Sequence, residues 1–325
     1  EDYAPFGACM GLVLCAARVH NVLLSRRYIV ERELWIVIKW GLRRLPRRWP
    51  RNAVYHNNEI LAVLLWAAMH NQPISWACKR SNWPVQAWRQ RLPDQSTMSR
   101  RLRHPSVWDD LRGLLDKIQS RWGNASEHQC TFIIDGKPLP VSNISGDPDA
   151  ARGWGAGIYA RGYKLHAIID TRSRLIDFDV RPLNTAESEV AREMVGGLDT
   201  EPPSQMLADA SYDSNALHRV CEDRGFQLIA PRRRPGTGLG WVKGGHAAGR
   251  LRSIEITEGP GCAWDRVHRF VRLGVERFFG TLASAATGLF ALPPWVRRIH
   301  RVRAWVAAKL TINAARNVCK RENAA

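Results

Sequence analysis

Residues 130–141 read Cys130-Thr131-Phe132-Ile133-Ile134-Asp135-Gly136-Lys137-Pro138-Leu139-Pro140-Val141, and here the chain changes its hydrophobic period. A short apolar, β-branched run stops at Asp135-Gly136 and resumes at Pro138, which predicts a buried strand. A second run, Lys164-Leu165-His166-Ala167-Ile168-Ile169, ends in the polar turn Asp170-Thr171-Arg172-Ser173-Arg174. Leu175 to Val180 alternates as its hairpin partner. Thr185 to Leu198 has helical spacing, and Met206-Leu207-Ala208 is a buried strand ending at Asp209. Ser214 to Gly225 is a helix with Gly225 at its C-cap, and Phe226 to Ala230 is a further strand. Strands that first form hairpins and then alternate with helices predict an α/β domain with a mixed sheet.

Upstream the pattern is helical. Residues 59–69, Glu59-Ile60-Leu61-Ala62-Val63-Leu64-Leu65-Trp66-Ala67-Ala68-Met69, are apolar all round, as in a helix buried within a bundle. Gln72-Pro73 stops it, and short helices follow from Ile74 to Arg80 and from Val85 to Arg91. Pro93-Asp94 makes a turn, and Ser96 is placed to cap a basic helix containing Arg100 and Arg101. Short helices with tight turns, the last one basic, fit a helix-turn-helix reader or a plain helical bundle with a solvated basic face. Ser106 to Trp122 is amphipathic, with Val107, Leu111, Leu114, Leu115 and Ile118 on one stripe. Downstream, Arg232 to Gly249 is Gly/Arg-rich and irregular, and the chain is helical again from about Asp265, with a break near Pro293-Pro294. The expected organisation is an N-terminal extension over 1–56, a helical DNA-binding region over 57–125, a catalytic domain over 130–290 and a basic C-terminal helix over 291–325.

The charge favours a polyanionic partner. The 325 residues carry a net charge of +18, which argues for nucleic acid first and an anionic membrane surface second. The distribution is uneven. Residues 1–129 carry 20 basic and 10 acidic side chains, residues 130–230 carry 10 and 15, and residues 231–325 carry 18 and 5. An acidic middle between two basic flanks predicts an acidic site bordered by polyanion-binding surfaces. The longest apolar N-terminal stretch, Gly7 to Leu24, is interrupted by Arg18 and His20 and is short for a membrane span. Residues 1 to about 30 read as the tail of a longer segment or a peripheral extension. Seven scattered cysteines without a CxxC pair fit a reducing compartment, and neither a disulfide framework nor structural zinc is expected.

Three carboxylates stand out by position. Asp135 and Asp209 each follow an apolar strand, and Glu276 lies in Phe270-Val271-Arg272-Leu273-Gly274-Val275-Glu276-Arg277-Phe278-Phe279-Gly280. Carboxylates converging from two strand ends and a crossing helix repel one another unless a cation is present. Hard oxygen ligands of that kind select Mg2+ or Mn2+, and two such ions roughly 3.5–4 Å apart suit phosphoryl transfer. Asp170, Asp177 and Asp179 read instead as turn and surface residues. Strand-ending acids are common, so on these residues alone the catalytic and structural readings both stand.

Four stretches resemble the DDE transposases of bacterial insertion sequences, in the branch with a Tyr-Arg-Glu-Lys signature. Leu92-Pro93-Asp94-Gln95-Ser96-Thr97-Met98-Ser99-Arg100 is similar to the close of that family's helical region, and Ile133-Ile134-Asp135-Gly136 to its first catalytic strand. Ala208-Asp209-Ala210-Ser211-Tyr212-Asp213-Ser214 is similar to its second motif, and Arg272-x3-Glu276-Arg277-Phe278-Phe279-Gly280 to its third. The order and spacing agree, with 74 residues from Asp135 to Asp209 and 67 more to Glu276. The signature tyrosine falls on Arg269 and the signature lysine on Ala283, two departures that bear on DNA positioning.

The resemblance implies a ribonuclease-H-like fold in which Asp135 bridges two Mg2+ (or Mn2+) ions while Asp209 and Glu276 each complete one. It implies cleavage and joining of double-stranded DNA at terminal inverted repeats and at a target site. It further implies a homodimer in the DNA complex, a place in the bacterial cytoplasm at the nucleoid, and no membrane partner. Asp209 is preferred to Asp213 for the second carboxylate. DNA contacts are expected from Arg272 and Arg269, from Arg100 and Arg101, from Arg232, Arg233 and Arg234, and from Arg298 and Arg301. Most of the 14 tryptophans are expected in the core, with Trp154 and Trp241 the two to test for base stacking. The alternatives are a catalytically degenerate or domesticated sequence-specific DNA-binding protein of the same origin, and a nuclease that only hydrolyses.

Overall fold

The strand around Asp135 is longer than its sequence pattern. In the computed structural model β1 (Thr131–Pro140) runs through Asp135-Gly136 unbroken, because β3 (Ile158–Asp170) pairs with it antiparallel from Phe132↔Asp170 to Pro140↔Gly162. The structure describes residues 31–47, 53–84, 91–121, 131–155, 157–198, 205–259, 274–284 and 287–323. Beside β3 lie β2 (Ala151–Gly155) and β4 (Leu175–Pro182), both antiparallel to it. Two short strands, β5 (Gln205–Leu207) and β6 (Gln227–Ile229), extend the sheet on the far side of β1 in parallel. The order is β2-β3-β1-β5-β6 with β4 on β3, the mixed sheet that the hairpin-then-alternation pattern predicts.

The two faces of the sheet follow from residue parity, since i and i+2 share a side of a strand. Phe132, Ile134 and Ile168 point into one core with α6 (Glu187–Gly196) and α7 (Asn215–Asp223). Ser214 caps α7 by accepting from Leu217 N, and Gly225 ends it at φ +79°, a conformation glycine adopts without a Cβ clash. Ile133, Leu139, Tyr163, Leu165, Ala167 and Ile169 point into the other core, which continues into the helices.

Those helices are α1 (31–43), α2 (Asn57–Met69), α3 (Ile74–Ala77), α4 (Gln95–Arg101) and α5 (Pro105–Arg121), followed beyond the sheet by α8 (Ala248–Glu258), α9 (274–282) and α10 (Ile299–Glu322). All five stripe residues of α5 are buried, as its spacing predicts. The cap of α4 differs from expectation. Asp94 accepts from Thr97 N at 2.7 Å, and Ser96 donates its hydroxyl to the same carboxylate. The 85–91 helix expected from sequence falls largely outside the described residues.

Two elements depart from the expected organisation. Leu34, Trp35, Val37, Ile38 and Leu42 of α1 belong to the same core as α2 and the sheet, so this part of the 1–56 extension is structural. The helical region and one face of the sheet share a single core, without a boundary of the kind expected near residue 130. The basic C-terminal helix lies in the same core through its apolar side. Val302, Trp305, Val306, Leu310, Ile312 and Val318 of α10 are buried, and its exposed cations cluster at its two ends. Trp35, Trp66 and Trp83 pack together, with Trp66 and Trp83 stacked at 4.6 Å, while Trp154 and Trp241 are exposed. Among the described residues no helix is long and apolar enough to cross a membrane.

Candidate active site

The register of two parallel strands brings the first two carboxylates level. Ile133 of β1 pairs with Leu207 of β5, so Asp135 stands two residues further along β1 and Asp209 two residues past the end of β5, where it caps a short 3-10 turn. Strands so paired lie about 4.8 Å apart. Asp135 shares the sheet face of Ile133 and of its own partner Ala167. Its Oδ1 accepts from Gly136 N at 2.7 Å, and Asp209 Oδ1 accepts from Ser211 N at 2.8 Å. Both carboxylates are half-buried.

Helix α9 crosses the same face. The Cβ position of Gly274 would lie 3.8 Å from Ile133 Cδ1, and Lys137 Nζ sits 6.0 Å from the centre of the Phe279 ring. Asp135 falls between the two β1 residues and Glu276 between the two α9 residues. Val275 and Phe278 anchor the helix in the core, and Glu276 itself is exposed. Lys137, two residues beyond Asp135 on its side of the strand, is pushed below the ordinary lysine pKa by burial.

A fourth carboxylate, which no local motif marks, stands behind the pair. Glu187, in the first turn of α6, bonds Lys164 Nζ through one oxygen and the Ser211 hydroxyl through the other. Ser211 Oγ is within hydrogen-bond reach of Asp209 as well, its one proton serving either carboxylate, so Lys164, Glu187, Ser211 and Asp209 form one continuous chain of contacts. Gly136 lets Lys164 pass. A Cβ there would come within 2.9 Å of Lys164 Cδ. Tyr212 is fully buried with a hydroxyl that bonds nothing, and burial together with the charges of Glu187, Asp135 and Asp209 pushes its pKa well above the usual phenol value.

Asp213, the competitor for Asp209, is committed elsewhere. Burial alone would raise its pKa, but a two-pronged bond from Arg250 (2.7 and 2.8 Å) and His218 at 3.7 Å hold it well below the carboxylate range. Asp170 accepts from Arg172 N and Arg174 N and closes a turn as expected. Asp177 and Asp179 lie on β4, paired with Arg112 and with Arg181 and Arg303.

The donor set suits a hard divalent cation. Asp135, Asp209, Glu187 and Glu276 supply only oxygen, with no thiolate or imidazole among them. As the side chains stand, no group of three or more His, Cys, Asp or Glu among the described residues closes on a single point, because Glu276 faces solvent and Glu187 is held by Lys164.

The expected DNA-contacting arginines divide into three sets. Arg233 donates to the carbonyls of Ala210 (3.3 Å) and Ser211 (2.8 Å), directly beside Asp209, and Arg234 is exposed next to it. Arg100, Arg298 and Arg301 are exposed around the start of α10, with Arg301 3.5 Å from Ser99 of α4. Arg101 and Arg232 are used internally. Arg101 is buried and bonds Tyr55 O (2.7 Å) and Asn57 Oδ1 (2.6 Å), and Arg232 is paired with Glu258. Those bonds correct the expectation that both face DNA. Arg269 and Arg272 lie outside the described residues.

A family model described as the transposase DDE domain matches residues 126–313. Among solved structures the chain is similar to a Mos1 transposase paired-end complex with left transposon end, at 12% identity over 70% of this chain and 81% of that one, with a TM-score of 0.23. No match was found among curated proteins.

Proposed function

Because the chain belongs to the transposase DDE domain family, we propose that it cuts and joins DNA strands at the ends of a mobile element, with Asp135, Asp209 and Glu276 as its catalytic carboxylates. The observation that supports this most is the register of β1 and β5, which sets Asp135 level with Asp209, just past the end of the neighbouring strand, under the helix that carries Glu276. A divalent ion held by these three carboxylates would activate the attacking oxygen and stabilise the leaving one.

The rest of the work falls to side chains of this chain. Lys137 and Arg233 flank the carboxylate edge and are placed to hold the strand's phosphates, Arg233 being fixed by the Ala210 and Ser211 carbonyls. Glu187 and Ser211 brace Asp209 from behind and keep its oxygens turned to the edge. Arg100, Arg234, Arg298 and Arg301 supply exposed positive charge for duplex binding. The ribonuclease-H-like assignment, the insertion-sequence branch and dimerisation on DNA belong to the same proposal. The degenerate alternative draws no support from a site in which all three carboxylates are retained.

The test uses the purified chain, Mg2+ and duplex DNA carrying the terminal sequence of the element that encodes it. Asp135→Ala, Asp209→Ala and Glu276→Ala are each expected to abolish strand cleavage while leaving duplex binding intact. Undiminished cleavage by Asp135→Ala would overturn the assignment.

A further inference from the structure

The β2–β3 hairpin carries a pair of aromatic side chains that the core does not use. Trp154 and Tyr159 are register partners across the hairpin, their rings 5.6 Å apart, and they are 70% and 57% exposed. Exposed Arg152 lies two residues before Trp154 on the same side of β2. Large aromatics left in water at a hairpin tip are costly unless a partner covers them.

The hairpin is built to present them. Glycines alternate with the exposed residues: a Cβ at Gly153 would meet Leu183 O at 2.7 Å, and one at Gly155 would meet Pro138 Cβ at 2.7 Å. The glycine side therefore lies flat on the rest of the sheet, and Arg152 and Trp154 are turned to the other side. Gly157 makes the turn at φ +77°. Parity then fixes which side that is. Tyr159 shares its face of β3 with Tyr163 and Ala167, and Ala167 is the partner of Asp135. The aromatic pair and Asp135 thus lie on the same side of one sheet, eight residues apart along β3, with buried Tyr163 and Leu165 packed under the helices between them. At about 3.3 Å per residue the separation is roughly 26 Å.

We propose that this hairpin is a second DNA-contacting element, with Trp154 and Tyr159 against bases or sugars of the duplex and Arg152 on a phosphate. It rests on the reading of the chain as an enzyme of DNA. Two features favour DNA as the partner: the cation beside the rings, and their place at the end of the strand that pairs with Asp135. At 3.4 Å per base pair, the separation sets the contact about eight base pairs from the phosphate held at Asp135. The hairpin therefore reads DNA outside the cleavage step itself.

The experiment compares the full-length chain with Trp154→Ala/Tyr159→Ala on a duplex carrying the element's terminal sequence, by equilibrium binding and by hydroxyl-radical footprinting. On unpaired strands one base–aromatic contact corresponds to roughly 5- to 150-fold in affinity, and packing against a paired duplex lies toward the low end. The double variant is expected to bind about tenfold or more weakly and to lose protection about eight base pairs from the cut. Trp154→Phe should restore most of both. Because both side chains are exposed, the variant's circular dichroism and melting should match the parent's. Unchanged affinity and footprint would overturn the proposal, as would loss of self-association at unchanged DNA affinity, which would assign the pair to a protein contact. Asp135→Ala tests the catalytic reading separately, since it should keep the hairpin footprint.

Discussion

The contact chain behind Asp209 sets the strongest quantitative expectation. Lys164 and Glu187 form an ion pair with side chains only 8% and 17% exposed, so Glu187→Ala strands an ammonium group that water barely reaches. Removing one partner of a buried pair costs about 3–5 kcal/mol. The Ser211 hydroxyl keeps Asp209 as its acceptor, so the ion pair dominates the loss. The remaining exposure of Glu187 draws the total toward the lower end, about 3–4 kcal/mol in denaturant unfolding. Lys164→Met/Glu187→Leu removes both charges and should recover all but about 1 kcal/mol, the pattern of a pair whose attraction mainly offsets its own desolvation. Cleavage distinguishes the site from the fold. In the double variant, stability returns but the brace on Asp209 does not, so cutting should stay slow while duplex affinity matches the parent. A single variant that loses less than 1 kcal/mol, or a double variant whose loss is the sum of the two singles, would refute the reasoning.

Two further outcomes are expected. Lys309 is fully buried in α10, donates to Ala68 O at 2.7 Å and to Asn71, and burial pushes its pKa down to about 7. The unfolded chain holds that proton up to about pH 10.4, so between pH 7 and that value unfolding takes up a proton and stability rises with pH. Lys309→Met should remove a few kcal/mol of that rise, and parallel stability–pH curves for parent and variant would contradict it. On DNA, Arg301→Ala should lower the slope of log affinity against log salt by about 0.9, the contribution of one phosphate. Arg101→Ala should leave the slope alone and lower the melting temperature, because its guanidinium serves Tyr55 and Asn57.

The elements legible in the sequence are those whose hydrophobic period is local. The α5 stripe, the turn at Asp170 and the capped helix from Ser214 to Gly225 all stand where their spacing puts them. The misjudged ones depend on partners far along the chain. β1 continues through Asp135-Gly136 because β3, some thirty residues on, pairs with every residue from Phe132 to Pro140. β2 is too short and too glycine-rich to show a period, and it exists because it fits against Leu183 and Pro138. α8 (Ala248–Glu258) buries only Gly249 and Ser253, so it has no apolar stripe to find. Asp135 and Asp209 could be picked out because each ends an apolar run. Glu187 could not, because its role comes from Lys164 and Ser211, which no motif links to it.

The same distinction revises what the segment charges mean. An acidic middle between basic flanks suggests carboxylates gathered at one site, yet part of that acidity is neutralised across segments. Asp177 pairs with Arg112 from the first flank, Asp179 with Arg303 from the last, and Asp213 with Arg250. These pairs join the sheet to α5, α10 and α8, so much of the charge asymmetry is used in assembling the fold. The proposed catalytic carboxylates are placed by the sheet and α9: Asp135 within β1, Asp209 just beyond the end of β5, and Glu276 on the helix that crosses them. Exposed cations stand at Arg234 beside the edge and at Arg100, Arg298 and Arg301 around the start of α10, among many others on the surface. Internal pairs hold the sheet to its helices but add nothing to the net charge of +18, which resides on the cations outside those pairs. The salt slope, and not the total charge, measures how many of those cations meet phosphate.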